Sequence, residues 1–285
     1  MLSFAKNKMM KRFKAFGAVT LAFVLMSCAA PPPRTTSAPA TLTVFAAASL
    51  KDAFGEMGKQ FEAANAGVKV VFNFAGSQQL AQQLSQGAPA DVFASANKKQ
   101  LDAVVEAGRI ISGTARTFAR NRLMVALPKD NPAQLATLQD LSKANLKLVL
   151  AAKEVPVGQY ALDFLDKAVK DKAFGDGFKE AVLKNVKSYE DNVKAVLTKV
   201  ALGEADAGIV YASDITPDAR DKVTTIAIPD ALNTLAVYPI ASIKDAKDAK
   251  DAQQAELAQK FVAYVLSDAG QAILAANGFV KISDK

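Results

Sequence analysis

The chain has 285 residues, 51% hydrophobic and 22% charged, a balance that excludes a disordered chain and a small stapled scaffold and leaves room for two lobes with their own cores. It contains no His, no Trp and one Cys, which excludes zinc sites built on His or Cys clusters, Cys–His nucleophiles and Ser–His–Asp triads. The net charge of +7 suggests nucleic acid until its position is noted. Lys6, Lys8, Lys11, Arg12 and Lys14 all precede an apolar run from Ala15 to Met26, as in the charged and hydrophobic regions of a secretory signal.

Residues 1–27 are therefore expected to be a signal peptide. The run ends in Leu25-Met26-Ser27-Cys28, which resembles a bacterial lipobox, with Cys28 as the acylated residue. The simpler alternative is a free thiol at the end of an ordinary signal. Without the five basic leader residues, 30 basic face 28 acidic side chains, a net charge of +2, so basicity belongs to export and no nucleic acid is expected as a partner. Residues 28–40, rich in Pro, Ser and Thr, predict a flexible tether.

From Leu42 short apolar strands alternate with amphipathic helices. LTVFAAA predicts a strand and Leu50 to Ala64 a helix; VKVVFNFA predicts a second strand and Gln78 to Ser85 a second helix; ADVFASA and Lys98 to Ala107 continue the pattern. NRLMVALP and LKLVLAA predict further strands, and the next helix spaces Tyr160, Leu162, Phe164, Leu165 and Val169 along an apolar face. Helices over Phe178 to Leu183 and Asn192 to Leu202, strands AGIVYAS, KVTTIAI and LAVYPIASI, and a helical region from Ala255 to Ala276 complete the chain. Continuously apolar strands between helices predict α/β sheets covered on both faces. The expected organisation is lobe I over 41–121 plus 236–285, with lobe II over 122–235 inserted into it. NRLMVALP and LAVYPIASI would be the two crossings of a hinge. KDAKDAKDA, Lys244 to Ala252, predicts an exposed, charge-alternating linker.

In such sheets ligands bind beyond the carboxyl ends of strands, where helix N-termini gather. Ser49 after VFAAA and Ser77 after FNFAG stand at such junctions. Taken singly, each is simply a helix cap, and Asp52 follows Ser49 as in a capping-box variant. Val157 and Val193 fall in first helical turns, where backbone amides lack intrahelical partners. Tyr211 ends AGIVY, where its phenol can enter a cleft or its ring can merely pack. All are uncharged donors, a set suited to a tetrahedral dianion that carries no proton. Asp91 is expected to brace a loop and not to face such an anion.

VFAAASL, FAGSQQLA, GAPADVFASA, VPVGQYA, the Asn192-Val193 helix start and GIVYASD, in this order between Leu42 and Val280, resemble the periplasmic molybdate-binding proteins of bacterial ABC transporters. The resemblance implies two doubly wound α/β lobes on a two-crossing hinge, like the type II periplasmic binding proteins. It implies an oxyanion site made of the hydroxyl and amide of Ser49, the hydroxyl and amide of Ser77, the amides of Val157 and Val193, and the phenol of Tyr211. Val157 stands where many members carry Ala, a change that a backbone contact tolerates. The implied ligand is molybdate, or tungstate, taken by lobe closure and passed to a membrane permease and ATPase. The chain would be a monomer, tethered outside the cytoplasm, with no cofactor, no catalytic residue and no metal apart from the bound oxometallate. Alternatives are a receptor of the same fold for sulfate, an organic anion or ferric ion, an acid–base enzyme using Asp91 and Glu154, or a tethered interaction protein.

Overall fold

Residues 40–244 and 252–282 are described by the structure, a computed structural model. The basic leader, Cys28 and residues 245–251 of the charge-alternating segment lie outside them. The chain runs β1 (Ala40–Ala47), α1 (Lys51–Ala64), β2 (Val68–Ala75), α2 (Ser77–Ser85), β3 (Val92–Ala94), α3 (Lys98–Glu106), β4 (Arg116–Asn121) and β5 (Leu123–Pro128). It continues with β6 (Leu148–Ala151), α4 (Pro156–Ala168), α5 (Phe178–Asn185), β7 (Val186–Glu190), α6 (Val193–Ala201) and β8 (Ala207–Tyr211). The last elements are α7 (Pro217–Arg220), β9 (Val223–Ala227), β10 (Ala236–Ser242), α8 (Ala252–Leu266) and α9 (Asp268–Ala276).

The strands form two five-stranded sheets, ordered β2-β1-β3-β10-β4 and β7-β6-β8-β5-β9. Parallel pairing joins β1 to β2 and β3, and β6 to β7 and β8. The other strands run antiparallel: β10 to β3 and β4, and β5 to β8 and β9. Central strands are apolar on both faces because helices cover both; in β1, Leu42, Val44 and Ala46 are buried on one side and Phe45 and Ala47 on the other. The parallel half of each sheet sends its strand ends, and the helices that follow them, to one edge.

Asn121 ends β4 and Leu123 begins β5, so Arg122 alone carries the chain from the first sheet to the second. The return runs through residues 228–235. LAVYPIASI, expected to cross, instead lies in the first sheet as β10. Buried Asn233 ties the two passages together. Its Oδ1 accepts from Leu123 N at 3.0 Å, and its Nδ2 donates to the carbonyls of Leu123 at 3.0 Å and Ile228 at 3.2 Å. The side-chain amide replaces a strand neighbour for groups whose unpaired burial would cost about 1–3 kcal/mol each.

In the first lobe Phe54, Phe118 and Phe261 are fully buried, with Phe54 centred 5.6 Å from Phe118 and 6.0 Å from Phe261. They clamp α1 and α8 onto the sheet, and truncating one to Ala would cost roughly 3–5 kcal/mol. In the second, α4 buries Val157, Ala161, Phe164, Leu165 and Ala168. Tyr160, Leu162 and Val169 are only half-buried. The stripe is thus offset from the expected one, because two alanines let the helix approach the sheet. The expected C-terminal helical region is two helices, since Ser267 Oγ accepts from Gly270 N at 3.3 Å and begins α9.

Candidate functional site

Four chain turns leaving the carboxyl ends of strands converge between the sheets. β1 passes through a 3-10 turn, Ala48–Leu50, into α1; β2 passes through Gly76 into α2; β6 leads through Val155 into α4, and β7 through Asn192 into α6. With the end of β8 they line a small cavity whose walls include Ser49, Gly76, Ser77, Val157, Val193 and Tyr211. All five residues expected from the sequence therefore meet at one place, and none is more than 3% exposed. No Lys, Arg, Asp or Glu lines the cavity among the described residues.

Neither serine hydroxyl caps a helix. Gly76 holds the N-cap position of α2, which moves Ser77 to the first helical residue, and its Oγ accepts from Ala96 N at 3.0 Å. Ser49 sits in the 3-10 turn with its Oγ 2.9 Å from the hydroxyl of Tyr238. Val157 follows Pro156, the first residue of α4, and Val193 is the first residue of α6. At those positions the amide N–H has no intrahelical acceptor and the helix dipole is positive. Asn192 Oδ1 takes Ala195 N at 3.0 Å, so the cap of α6 leaves the Val193 amide unused.

The Tyr211 hydroxyl is fully buried without a hydrogen-bond partner among the described residues. Burial, followed by the neighbouring Tyr238, pushes its phenol well above the ordinary tyrosine value, so it is a proton donor at any physiological pH. A buried orphan hydroxyl pointing into a cavity of amides fits a guest that accepts. Asp91 lies outside the cavity, as expected, but its Oδ2 accepts from Thr43 N of β1 at 2.6 Å, so it braces a strand of the first sheet rather than a loop. Glu154 is exposed, and neither carboxylate lines the cavity.

Polar contacts from both sheets close the cavity. Gln78 Nε2 donates to the Asp191 carbonyl at 2.8 Å and Gln100 Nε2 to that of Glu154 at 3.2 Å. Lys194, one residue beyond the wall, holds Asp52 of α1 at 2.8 Å and buried Asp214 at 3.3 Å. Burial opposes the Lys194 charge, but the two carboxylates outweigh it and hold the ammonium above its ordinary value.

A sequence profile of the bacterial extracellular solute-binding proteins matches residues 42–280, nearly all of the described chain. The chain belongs to this family. This solute-binding protein is 40% identical over 255 residues to the molybdate-binding protein ModA of Mycobacterium tuberculosis, covering 90% of each chain. It is 30% identical to the putative ABC transporter substrate-binding lipoprotein YvgL of Bacillus subtilis, over 95% of this chain and 99% of that one. Among solved structures, the substrate binding domain of a putative molybdenum ABC transporter from Clostridium difficile superposes with a TM-score of 0.62 at 29% identity, over 85% of this chain and 99% of that one. The expected two-lobe α/β fold is shared with it. No described helix is long and apolar enough to cross a membrane.

Sequence patterns did not reveal Lys194, Asp214, Asn121 or Tyr238, which support the site from behind. The available signal was polarity out of place: Asn121 heads the apolar run of NRLMVALP, Tyr238 interrupts an apolar strand, and Asp214 follows GIVYAS.

Proposed function

We propose that this solute-binding protein captures molybdate, and tungstate with it, for an ABC importer, by closing its two lobes over the ion. The hydroxyls and amides of Ser49 and Ser77, the amides of Val157 and Val193 and the phenol of Tyr211 take its oxygens. Lobe I is 41–121 plus 236–285, lobe II is 122–235, and the passages at Arg122 and 228–235 act as the hinge. The observation that carries this reading is the cavity itself: buried, built from both lobes, and lined by uncharged donors with no carboxylate among the described residues. The relatives named for molybdate support the choice of ion. No bond is made or broken.

About seven charge-assisted hydrogen bonds, each worth roughly 1.5–3 kcal/mol, must outweigh an association cost of roughly 4–15 kcal/mol. The balance is favourable only when nearly all of them form together. A smaller ion that leaves donors unpaired loses affinity steeply, so sulfate binds more weakly than the larger oxometallates. A wall with one tyrosine and no carboxylate among the described residues argues against ferric ion.

Signal peptide cleavage before Cys28 and acylation of its thiol would tether the monomer outside the cytoplasm, where a permease and ATPase receive the loaded form. Calorimetric titration of the protein lacking residues 1–27 with molybdate, tungstate, sulfate and phosphate tests the ligand. Sulfate bound as tightly as molybdate would overturn it. Palmitate labelling lost in Cys28→Ala tests the anchor.

A further inference from the structure

Behind Ser49 lies a buried polar pair that does not line the cavity. Tyr238 on β10 and Asn121 at the end of β4 are both fully buried. Asn121 Nδ2 donates to Ser213 Oγ at 2.8 Å and to the Tyr238 hydroxyl at 3.4 Å, and the Tyr238 hydroxyl stands 2.9 Å from Ser49 Oγ. Asn121 Oδ1 accepts from Arg122 N at 3.0 Å, which fixes the end of the amide that carries the hydrogens. The Tyr238 ring is held edge-on by Phe118, Tyr211 and Phe279 at centroid distances of 6.2, 5.8 and 5.4 Å.

We propose that Asn121 and Tyr238 are positioning residues that order the protons of this chain of hydroxyls, so that Ser49 directs its proton at a guest. The proposal rests on the site assigned above. Asn121 fills a lone pair of the Tyr238 oxygen with an N–H. The single Tyr238 proton then has Ser49 Oγ as its acceptor, and the Ser49 proton is left for the cavity. The reverse order would bury the Tyr238 proton with no acceptor. Burial pushes the Tyr238 phenol upward, so the proton stays in place. At Ser77 the Ala96 amide does the same from behind. Both serines thus face the guest as donors, with one lone pair of each oxygen already filled, so a guest that carries its own proton, such as hydrogen phosphate, is matched less well there than one that only accepts. The ordered protons select against protonated anions of the same charge.

The test is a double-mutant cycle on molybdate affinity with Tyr238→Phe, Ser49→Ala and the pair, joined to competition by hydrogen phosphate at pH 8. Tyr238→Phe is expected to weaken molybdate binding about tenfold in the natural background and less than about twofold beside Ser49→Ala. It is also expected to let hydrogen phosphate compete better, since a Ser49 hydroxyl released from Tyr238 can turn its proton away and its oxygen toward the guest. Additive losses, or unchanged competition, would overturn the proposal, because a merely structural role for Tyr238 predicts both. If Ser49→Ala alone leaves molybdate binding intact, the site assignment fails and the proton order with it. If Ser49→Ala weakens binding and Tyr238→Phe does not, the site stands and only the proton order falls. Should Tyr238→Phe not fold, 3-fluorotyrosine at position 238 keeps the shape and strengthens the donor. Molybdate should then bind more tightly, and no gain would count against the proposal.

Discussion

Lys194 on α6 and Asp52 on α1 meet across the cleft, Nζ to Oδ2 at 2.8 Å, while the same ammonium lies 3.3 Å from buried Asp214. One contact holds the lobes together and the other belongs to the second lobe alone. Asp52→Asn removes the first and leaves the second. Asp52 is 43% exposed, so the pair contributes little and is screened by salt. Stopped-flow measurement should find molybdate released about two- to fivefold faster at low salt and nearly unchanged at high salt. Equal release rates at low salt would show that the contact does not hold the closed form.

Gly76 has φ −59° and ψ 136°, a backbone any residue adopts, yet a Cβ there would lie 2.3 Å from the Asp191 carbonyl across the cleft, while within its own lobe it would meet, at 2.5 Å, only the flexible end of the Gln78 side chain, which can swing aside. Gly76→Ala therefore leaves each lobe intact and wedges them apart. Molybdate affinity should fall about tenfold or more with no change in the melting temperature of the ligand-free protein. Small-angle scattering with saturating molybdate should show a larger radius than for the natural chain. Full compaction of the variant would refute the wedge.

Tyr211 and Ser77 should separate affinity from stability. The Tyr211 hydroxyl has no partner within the described protein, so Tyr211→Phe removes a desolvated group and leaves the ligand-free protein as stable or slightly more so. Ser77 Oγ already accepts from Ala96 N, and Ser77→Ala strands that amide. Both variants should lose roughly 1–3 kcal/mol of molybdate binding, but only Ser77→Ala should also lose folding stability, by a similar amount. Chemical denaturation beside calorimetry distinguishes them; a destabilised Tyr211→Phe would contradict this assignment.

Asp214 is fully buried, and burial pushes its carboxyl up to about 6 despite Lys194 and the Tyr211 amide. The folded state then holds the proton more tightly than the unfolded chain, whose carboxylate titrates near 4. Its contribution to stability is complete below about pH 4 and is lost as pH rises through about 6. The tighter hold on that proton is worth roughly 3 kcal/mol. Denaturation between pH 4 and pH 7 should show this slope in the natural chain and its loss in Asp214→Asn. Parallel curves would exclude Asp214 as the source.

Much of this arrangement was legible in the chain because strong signals coincided. β6 is a continuous apolar run and β1 and β2 are nearly so, and small or polar residues at their ends mark the places where helices begin. β4 and β7 were invisible because RTFARN and VKSYE lack an apolar run; both are edge strands, where charged and polar residues such as Arg116, Thr117 and Lys187 can face water. The serines were ambiguous for a different reason. A hydroxyl at a helix start caps it or faces outward according to a shift of one residue, and Gly76 in the N-cap position decides the matter for Ser77. Asp52, a candidate partner for Ser49 by spacing, answers to Lys194, 142 residues away along the chain. Contacts that long leave no local trace.

The wall of uncharged groups also determines how the protein moves in an electric field. With no carboxylate there among the described residues to take up a proton as the ion enters, capture makes the molecule more negative by the full charge of its cargo. Residues 28–285 carry 30 basic and 28 acidic side chains, so a dianion brings them from +2 to electrical neutrality. Native electrophoresis would therefore sort filled molecules from unfilled ones without any label.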